Sequence, residues 1–141
     1  GRKHFTDRKD GRNLIDEMTY NGWKYHDTLI NSTENNEKVL ILAAEEHLPT
    51  SAERGDFLPC ATSFALENLR NENGFFLMVE GSQIDFAGHD RDSTYLVNEM
   101  LDFNKTVFQT IDDVAKGEIR TKIRDILAAF LFRGEDIDKK A

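Results

Sequence analysis

The sequence predicts an α/β fold in which a partial parallel sheet is flanked by helices. Two apolar runs, residues 39–44 and 75–79, are bounded by charged residues or glycine, and their length suits buried strands of a parallel sheet. Residues 59–69 between them have helical spacing, and the order strand, helix, strand is typical of parallel pairing. Because 141 residues leave little room for two domains, we expect a single α/β domain over residues 1–141.

The charge of the chain excludes one class of partner. It carries 18 Lys and Arg against 26 Asp and Glu, a net charge of −8, whereas a general nucleic-acid binder needs a basic face. No apolar run approaches the length of a membrane span, and the first ten residues are basic without the apolar stretch of a signal peptide. We therefore expect no nucleic-acid partner and no membrane partner.

The first half of the chain is expected to contain a helix, a short strand and the first long apolar run. The helix should end at Asn21, since an Asn followed by Gly22 is a typical helix end. Residues 23–25 suit a short strand, which precedes the buried strand at 39–44. The apolar positions that predict the first helix are Leu14, Ile15 and Met18.

The second half is expected to be mainly helical. Pro59 suits the first turn of a helix, and Cys60 beside it is expected to be a small buried hydrophobic residue. Asp92 is expected to cap a long helix whose apolar positions follow the i, i+4, i+7 pattern. Residues 118–133 predict an extra C-terminal helix within a divergent tail, 116–141. The apolar positions of the long helix are Leu96, Val97, Met100, Leu101, Val107, Phe108 and Ile111.

Residues 80–89 are the segment that indicates chemistry. They follow the second predicted strand, and sites in open α/β sheets lie beyond the carboxyl ends of the strands. Asp85 and His89 are four residues apart, so on a helical turn they point the same way and can share one cation. A carboxylate and an imidazole suit zinc, whereas Glu80, a hard oxygen ligand, suits magnesium or a second divalent ion.

His47 is a possible additional ligand. It follows the first long strand, so parallel strands would bring it to the same sheet edge as Glu80. The simpler interpretation of His47 is a loop histidine, and that of Asp85 and His89 is a surface pair on a helix.

The stretch 74–90 resembles the central metal-binding motif of the alkaline phosphatases. It reads Gly-Phe-Phe-Leu-Met-Val-Glu-Gly-Ser-Gln-Ile-Asp-Phe-Ala-Gly-His-Asp. Segments at 1–14, 47–69 and 98–106 are similar to the corresponding parts of that family. The resemblance covers residues from 1 to about 115, and it implies the middle part of the alkaline phosphatase fold followed by the divergent tail.

This resemblance implies metal-dependent hydrolysis of small-molecule phosphate monoesters. In that family a serine attacks phosphorus beside two zinc ions and one magnesium ion. Carried onto this sequence, Asp85 and His89 would be ligands of one zinc and Glu80 a ligand of the magnesium. The resemblance also suggests a periplasmic or secreted location. A partial sheet leaves edges and faces open, which favours a homo-oligomer.

Several parts of the family's site have no counterpart in this sequence. These are the nucleophilic serine, the aspartate shared by zinc and magnesium, and the later Thr-Ala-Asp-His block and final histidine. The catalytic residue is therefore unknown. Ser82, Ser93 and Thr94 are candidate replacements for the nucleophilic serine, although their simpler interpretation is as turn and cap residues. The alternative functions are a non-catalytic remnant that binds divalent metal, or an interaction module, and an unrelated structural α/β domain is a third hypothesis.

Overall fold

The structure is a computed structural model that describes residues 1–34, 37–114 and 122. Its described residues form a mixed α/β arrangement, which confirms the predicted fold class. In chain order the elements are α1 (Lys3–Thr6), α2 (Leu14–Tyr20), β1 (Trp23–His26), β2 (Lys38–Ile41), α3 (Ser51–Arg54), α4 (Phe57–Leu69), α5 (Gln83–Asp90) and α6 (Ser93–Val114).

The sheet of the described residues has two parallel strands, β1 and β2. Their register runs from Trp23 opposite Lys38 to His26 opposite Ile41. Both strands were predicted, but the parallel partner expected for the first long apolar run was the segment 75–79, not the short strand. The first residues of the chain are hydrogen-bonded to the segment that follows β2: the amide of Arg2 donates to the Ala44 carbonyl at 2.9 Å. Loop residues that follow β2 are thus held by backbone hydrogen bonds.

The prediction of a second buried strand at residues 75–79 is wrong. The segment has no strand conformation and no backbone hydrogen bond to any described residue. Phe76 is 85% exposed and Met78 is 75% exposed. A strand forms only beside another strand, and neither β1 nor β2 pairs with this segment, so local apolar composition is not sufficient to make it one.

Helix α2 ends where the sequence predicts, and Asn13 caps its start. The side chain of Asn13 accepts hydrogen bonds from the amides of Ile15 and Asp16, and an N-cap of this kind satisfies donors that have no partner inside the helix. The helix ends at Asn21, and Gly22 then adopts φ of +85°, which glycine tolerates without steric cost.

Helix α4 begins two residues before Pro59. Proline is accepted there because the first amides of a helix lack partners within it. Pro59, Thr62 and Leu66 form the buried face of α4, and Cys60 is exposed. The prediction of a buried cysteine is therefore wrong, because Cys60 lies off that face.

Helix α6 packs against α4 and α5 with polar residues on its buried face. Asp92 accepts a hydrogen bond from the Tyr95 amide at 2.9 Å, which confirms the predicted cap. Glu99 and Thr106 are buried in this face. The apolar positions Val97, Met100, Leu101 and Phe108 are instead 39–55% exposed.

A buried ion cluster joins α3 to α6. The guanidinium of Arg54 lies 2.5 Å from a Glu99 oxygen and 2.7 Å from an Asp102 oxygen. The three side chains are 6%, 2% and 8% exposed. Glu99 also accepts from the Ser51 amide at 2.6 Å, so the loop before α3 is fixed to the long helix.

The predicted C-terminal helix at 118–133 and the tail 116–141 lie outside the described residues, apart from residue 122. Among the helices that the structure describes, none combines the length and apolarity needed to cross a membrane.

Candidate metal centre

Helix α5 brings two of the predicted ligands together. Its first turn forms when the amides of Ile84 and Asp85 donate to the carbonyls of Gly81 and Ser82. The helical spacing then places His89 Nε2 3.5 Å from Asp85 Oδ2. Both side chains are more than three-quarters exposed, so a cation has free access to this carboxylate–imidazole pair.

Close packing on α6 fixes the turn before α5. A Cβ atom added at Gly81 would lie 3.0 Å from Cδ2 of Phe103 and 3.1 Å from Cδ1 of Ile84. Such contacts are tighter than ordinary van der Waals distance, so glycine allows the backbone between Glu80 and Ser82 to approach α6.

Glu80 lies in a small cavity of about 230 Å³, which we call the Glu80 cavity. No hydrogen bond or ion pair joins Glu80 to any described residue. Glu46 lines the same cavity, and a hydrogen bond from Lys3 lowers the pKa of its carboxyl group. The Glu80 cavity is lined by Glu46, His47, Leu48, Arg54, Leu58, Glu80, Gly81, Ser82, Gln83 and Glu99.

The charge on the wall of the Glu80 cavity favours a cation. Of its three carboxylates, Glu46 is paired with Lys3 and Glu99 with Arg54, so Glu80 is the one that no described cation neutralises. Oxygen ligands with unneutralised charge attract hard divalent cations such as magnesium.

His47 lies between the Glu80 cavity and α5. It lines the cavity, and its ring packs on that of Phe86 with centroids 5.2 Å apart at 49°. Phe86 directly follows Asp85 in α5. The possible additional ligand therefore lies on the cavity wall with Glu80 and contacts α5 through Phe86.

The four predicted ligands do not form one cluster. Within residues 1–34, 37–114 and 122, no three His, Cys, Asp or Glu side chains are grouped closely enough to hold one metal ion. Asp85 and His89 make one pair, while Glu80 lies in the neighbouring cavity with His47. The described residues thus hold the predicted ligands in two separate places, and neither place has three ligands.

The predicted substitutes for a nucleophile are separated by the fold. Ser82 lines the Glu80 cavity and is the N-cap residue of α5. Ser93 begins α6, and Thr94 lines a different cavity together with Thr50 and Asn98. Of these three hydroxyl groups, only that of Ser82 lies on a wall shared with a predicted metal ligand.

Sequence analysis missed the polar residues that hold this region together. Gln83 donates from Nε2 to the Leu48 carbonyl at 2.7 Å and accepts from the hydroxyl of Tyr95. The available signal was the spacing of Tyr95, Glu99, Asp102 and Thr106, which puts four polar side chains on one face of α6.

The sequence matches the family model of the alkaline phosphatases over residues 2–123, somewhat beyond the predicted limit near 115. It is 41% identical over 121 residues to Alkaline phosphatase 3 of Bacillus subtilis (strain 168), a match that covers 82% of this chain and 26% of that protein. It is 39% identical over 133 residues to the Repressible alkaline phosphatase of Saccharomyces cerevisiae, covering 80% of this chain and 23% of that protein. The chain thus spans about a quarter of the length of these curated relatives.

The structure is similar to that of alkaline phosphatase from the Antarctic bacterium TAB5. The TM-score is 0.68 at 36% sequence identity, and the match covers 76% of this chain and 33% of that one. A mutant of TAB5 alkaline phosphatase with Mg bound gives a TM-score of 0.69, also at 36% identity, covering 76% of this chain and 32% of that one. These matches show that the chain belongs to the alkaline phosphatase family.

Proposed function

We propose that this chain contributes to metal-dependent hydrolysis of phosphate monoesters. The observation that carries the proposal is the Asp85–His89 pair, 3.5 Å apart and open to solvent, within a segment that resembles the family's central metal-binding motif. The named relatives are alkaline phosphatases, which supports the same class of reaction for this chain.

The residues present fit divalent cations. Asp85 and His89 supply the oxygen and nitrogen donors that zinc prefers, and Glu80 supplies an unpartnered oxygen of the kind magnesium prefers. A mutant of TAB5 alkaline phosphatase has been obtained with Mg bound. When bound, the cations would neutralise charge on the phosphoryl group and favour ionisation of the attacking oxygen.

The protein's own residues would bind and orient these cations. Asp85 would supply a carboxylate oxygen and His89 a ring nitrogen. Water or a second chain would complete the coordination, because the described residues offer fewer than three ligands at either place. We assign no nucleophile; of the three hydroxyl candidates, Ser82 is the one that lines the Glu80 cavity.

A second candidate function is divalent-metal binding without catalysis. The specific observation in its favour is that the described residues contain no three-ligand group. In this case the chain would bind zinc or magnesium weakly or serve as an interaction module, and it would not turn over a phosphate monoester.

The test is to purify the chain from a host that lacks its own alkaline phosphatase, measure zinc and magnesium binding, and assay p-nitrophenyl phosphate at alkaline pH. We expect hydrolysis that chelator removes and that falls at least tenfold in Asp85→Ala and in His89→Ala. Each substitution removes a ligand and leaves too few donors to hold the ion. Even mutation of a residue that only hydrogen-bonds to a metal ligand lowers metal affinity or activity by about 10- to 100-fold.

The matched controls are Asp27→Ala and His4→Ala, which remove the same groups from exposed positions outside the site. Both should keep wild-type metal binding and activity. If wild type, Asp85→Ala and His89→Ala all show the same background rate, the hydrolase proposal is wrong. Zinc binding without turnover would support the non-catalytic alternative.

A further inference from the structure

Helix α5 has a buried face and an exposed face. Gln83 is 7% exposed and Ala87 is completely buried, whereas the side chains of Asp85 and His89 are mostly exposed. Successive residues of an α-helix are rotated by about 100°, so Asp85 lies roughly opposite Gln83, and His89 lies roughly opposite Ala87. The rotation of α5 about its own axis therefore determines where the carboxylate–imidazole pair points.

The two ends of α5 are stabilised in different ways. At its end, the amide of Asp92 donates to the Ala87 carbonyl at 3.2 Å, and Arg91 adopts φ of +55°. This arrangement closes a helix with backbone hydrogen bonds and needs no side chain. At its start, Ser82 makes no side-chain capping hydrogen bond. Because a helix of eight residues is not stable by itself in water, its first turn needs another anchor.

Gln83, the first residue of α5, supplies this anchor. Its Nε2 donates to the carbonyl of Leu48 at 2.7 Å, and its Oε1 accepts from the hydroxyl of Tyr95 on α6. The Leu48 carbonyl can only accept a hydrogen bond, so it faces the NH₂ group of the amide. Burial raises the pKa of the Tyr95 phenol, which therefore stays protonated and donates. The first turn of α5 is thus bound to the loop after β2 and to α6.

We propose that Gln83 is a positioning residue that fixes the rotation of α5, so that Asp85 and His89 face solvent together and can share a divalent cation. This inference rests on the proposed metal-binding function. Gln83 lies on the opposite side of the helix and does not contact the cation. Ala87 contributes burial to the same face but has no polar side-chain group, so the directional contact comes from Gln83.

The experiment compares Gln83→Met and Tyr95→Phe with wild type. Methionine keeps the length of the side chain and removes both hydrogen bonds, whereas Tyr95→Phe removes one of them. Thr33→Val is the matched control. Thr33 also makes a half-buried side-chain hydrogen bond between distant segments, to Asn68 at 2.5 Å, but it is not part of the metal centre.

The first measurement needs no metal. It is hydrogen exchange of the amides of Ile84 and Asp85, whose hydrogen bonds close the first turn of α5. We expect their protection to be lost in Gln83→Met and kept in wild type and Thr33→Val, because only the first change releases this turn. The amide of Cys60 in α4, which is also hydrogen-bonded, should stay protected in every variant and shows that the fold is intact.

The second measurement is zinc affinity. We expect Gln83→Met to weaken it by about tenfold, because apparent affinity falls with the fraction of molecules in which the pair is correctly placed. Tyr95→Phe keeps the hydrogen bond to Leu48 and should lie between wild type and Gln83→Met. Thr33→Val should bind zinc like wild type, since a loss of overall stability alone does not turn α5.

Unchanged amide protection or unchanged zinc affinity in Gln83→Met would overturn the positioning role, and so would an equal loss of affinity in Thr33→Val. If Gln83→Met does not fold, the same two measurements on Tyr95→Phe and Thr33→Val decide the matter, with losses expected only in Tyr95→Phe. Failure of wild type to bind zinc would refute the metal-binding function, while hydrogen exchange would still decide whether Gln83 holds the start of α5.

Discussion

Asp10 has a carboxylate that three hydrogen bonds stabilise in its ionised form. Two come from the guanidinium of Arg8 and one from the amide of Arg12 at 3.2 Å. The hydrogen bonds from Arg8 are the largest cause that lowers the pKa of Asp10 from 3.8 to about 2. The folded state therefore binds a proton at this site less readily than the unfolded state does.

This pKa shift predicts how stability depends on pH. A depressed folded-state pKa contributes stability that is complete above about pH 4 and is lost as the pH falls through about 2. We expect Asp10→Asn to lower the melting temperature at pH 6, and the difference from wild type to shrink between pH 4 and pH 2. Thermal unfolding at a series of pH values measures it, and a difference that stays constant over this range would contradict the assignment.

The contact between α3 and α6 depends on a buried ion cluster with side chains from both helices. Arg54 is bound by Glu99 and Asp102, and all three side chains are almost completely buried. We expect Arg54→Met to destabilise the fold by about 3–5 kcal/mol, because removing one partner leaves buried carboxylates uncompensated. Denaturant unfolding measures this change in the free energy of unfolding.

The control for this element is an ion pair of the same chemistry in a solvent-exposed position. Lys105 lies 2.6 Å from Asp56, and both side chains are substantially exposed. Exposed pairs contribute about 0–1 kcal/mol, so Lys105→Met should have little effect. If Arg54→Met and Lys105→Met lowered the free energy of unfolding equally, burial would not determine how much the Arg54 cluster contributes to stability.

At the scale of the whole molecule, exposed apolar residues predict self-association. Phe76 and Met78 lie on the segment 75–79, whose backbone is unpaired among the described residues, and apolar surface next to open backbone groups favours contact with another chain. We expect a homo-oligomer whose interface includes this segment, and a shift to monomer when Phe76→Glu and Met78→Glu are combined.

Sedimentation velocity over a range of protein concentrations measures this prediction. Tyr20→Glu is the control, since Tyr20 is 92% exposed at the end of α2 and outside the segment. It should associate like wild type. A wild type that is monomeric throughout, or a double variant that associates as strongly as wild type, would contradict the prediction.

Local pattern was sufficient to predict part of the candidate site. The four-residue spacing of Asp85 and His89 predicts that they share a helix face, and the structure places them 3.5 Å apart. Glu80 was predicted at a strand end, but the segment before it is not a strand. Glu80 and His47 line one cavity because the turn before α5 packs against α6. The residues next to Glu80 in the sequence do not indicate this packing.

The sequence by itself determined the α/β class, the strands at 23–25 and 39–44, the helix end at Asn21, the cap at Asp92, and membership of the alkaline phosphatase family. These features follow from side-chain periodicity, capping chemistry and motif, all of which are local along the chain. Only the tertiary structure decided that residues 75–79 pair with no strand of the described part of the chain, that Cys60 faces solvent, and that Gln83 and Arg54 hold the loop after β2. Strand pairing and burial require partners from distant segments, and a linear pattern does not specify which of those partners are present.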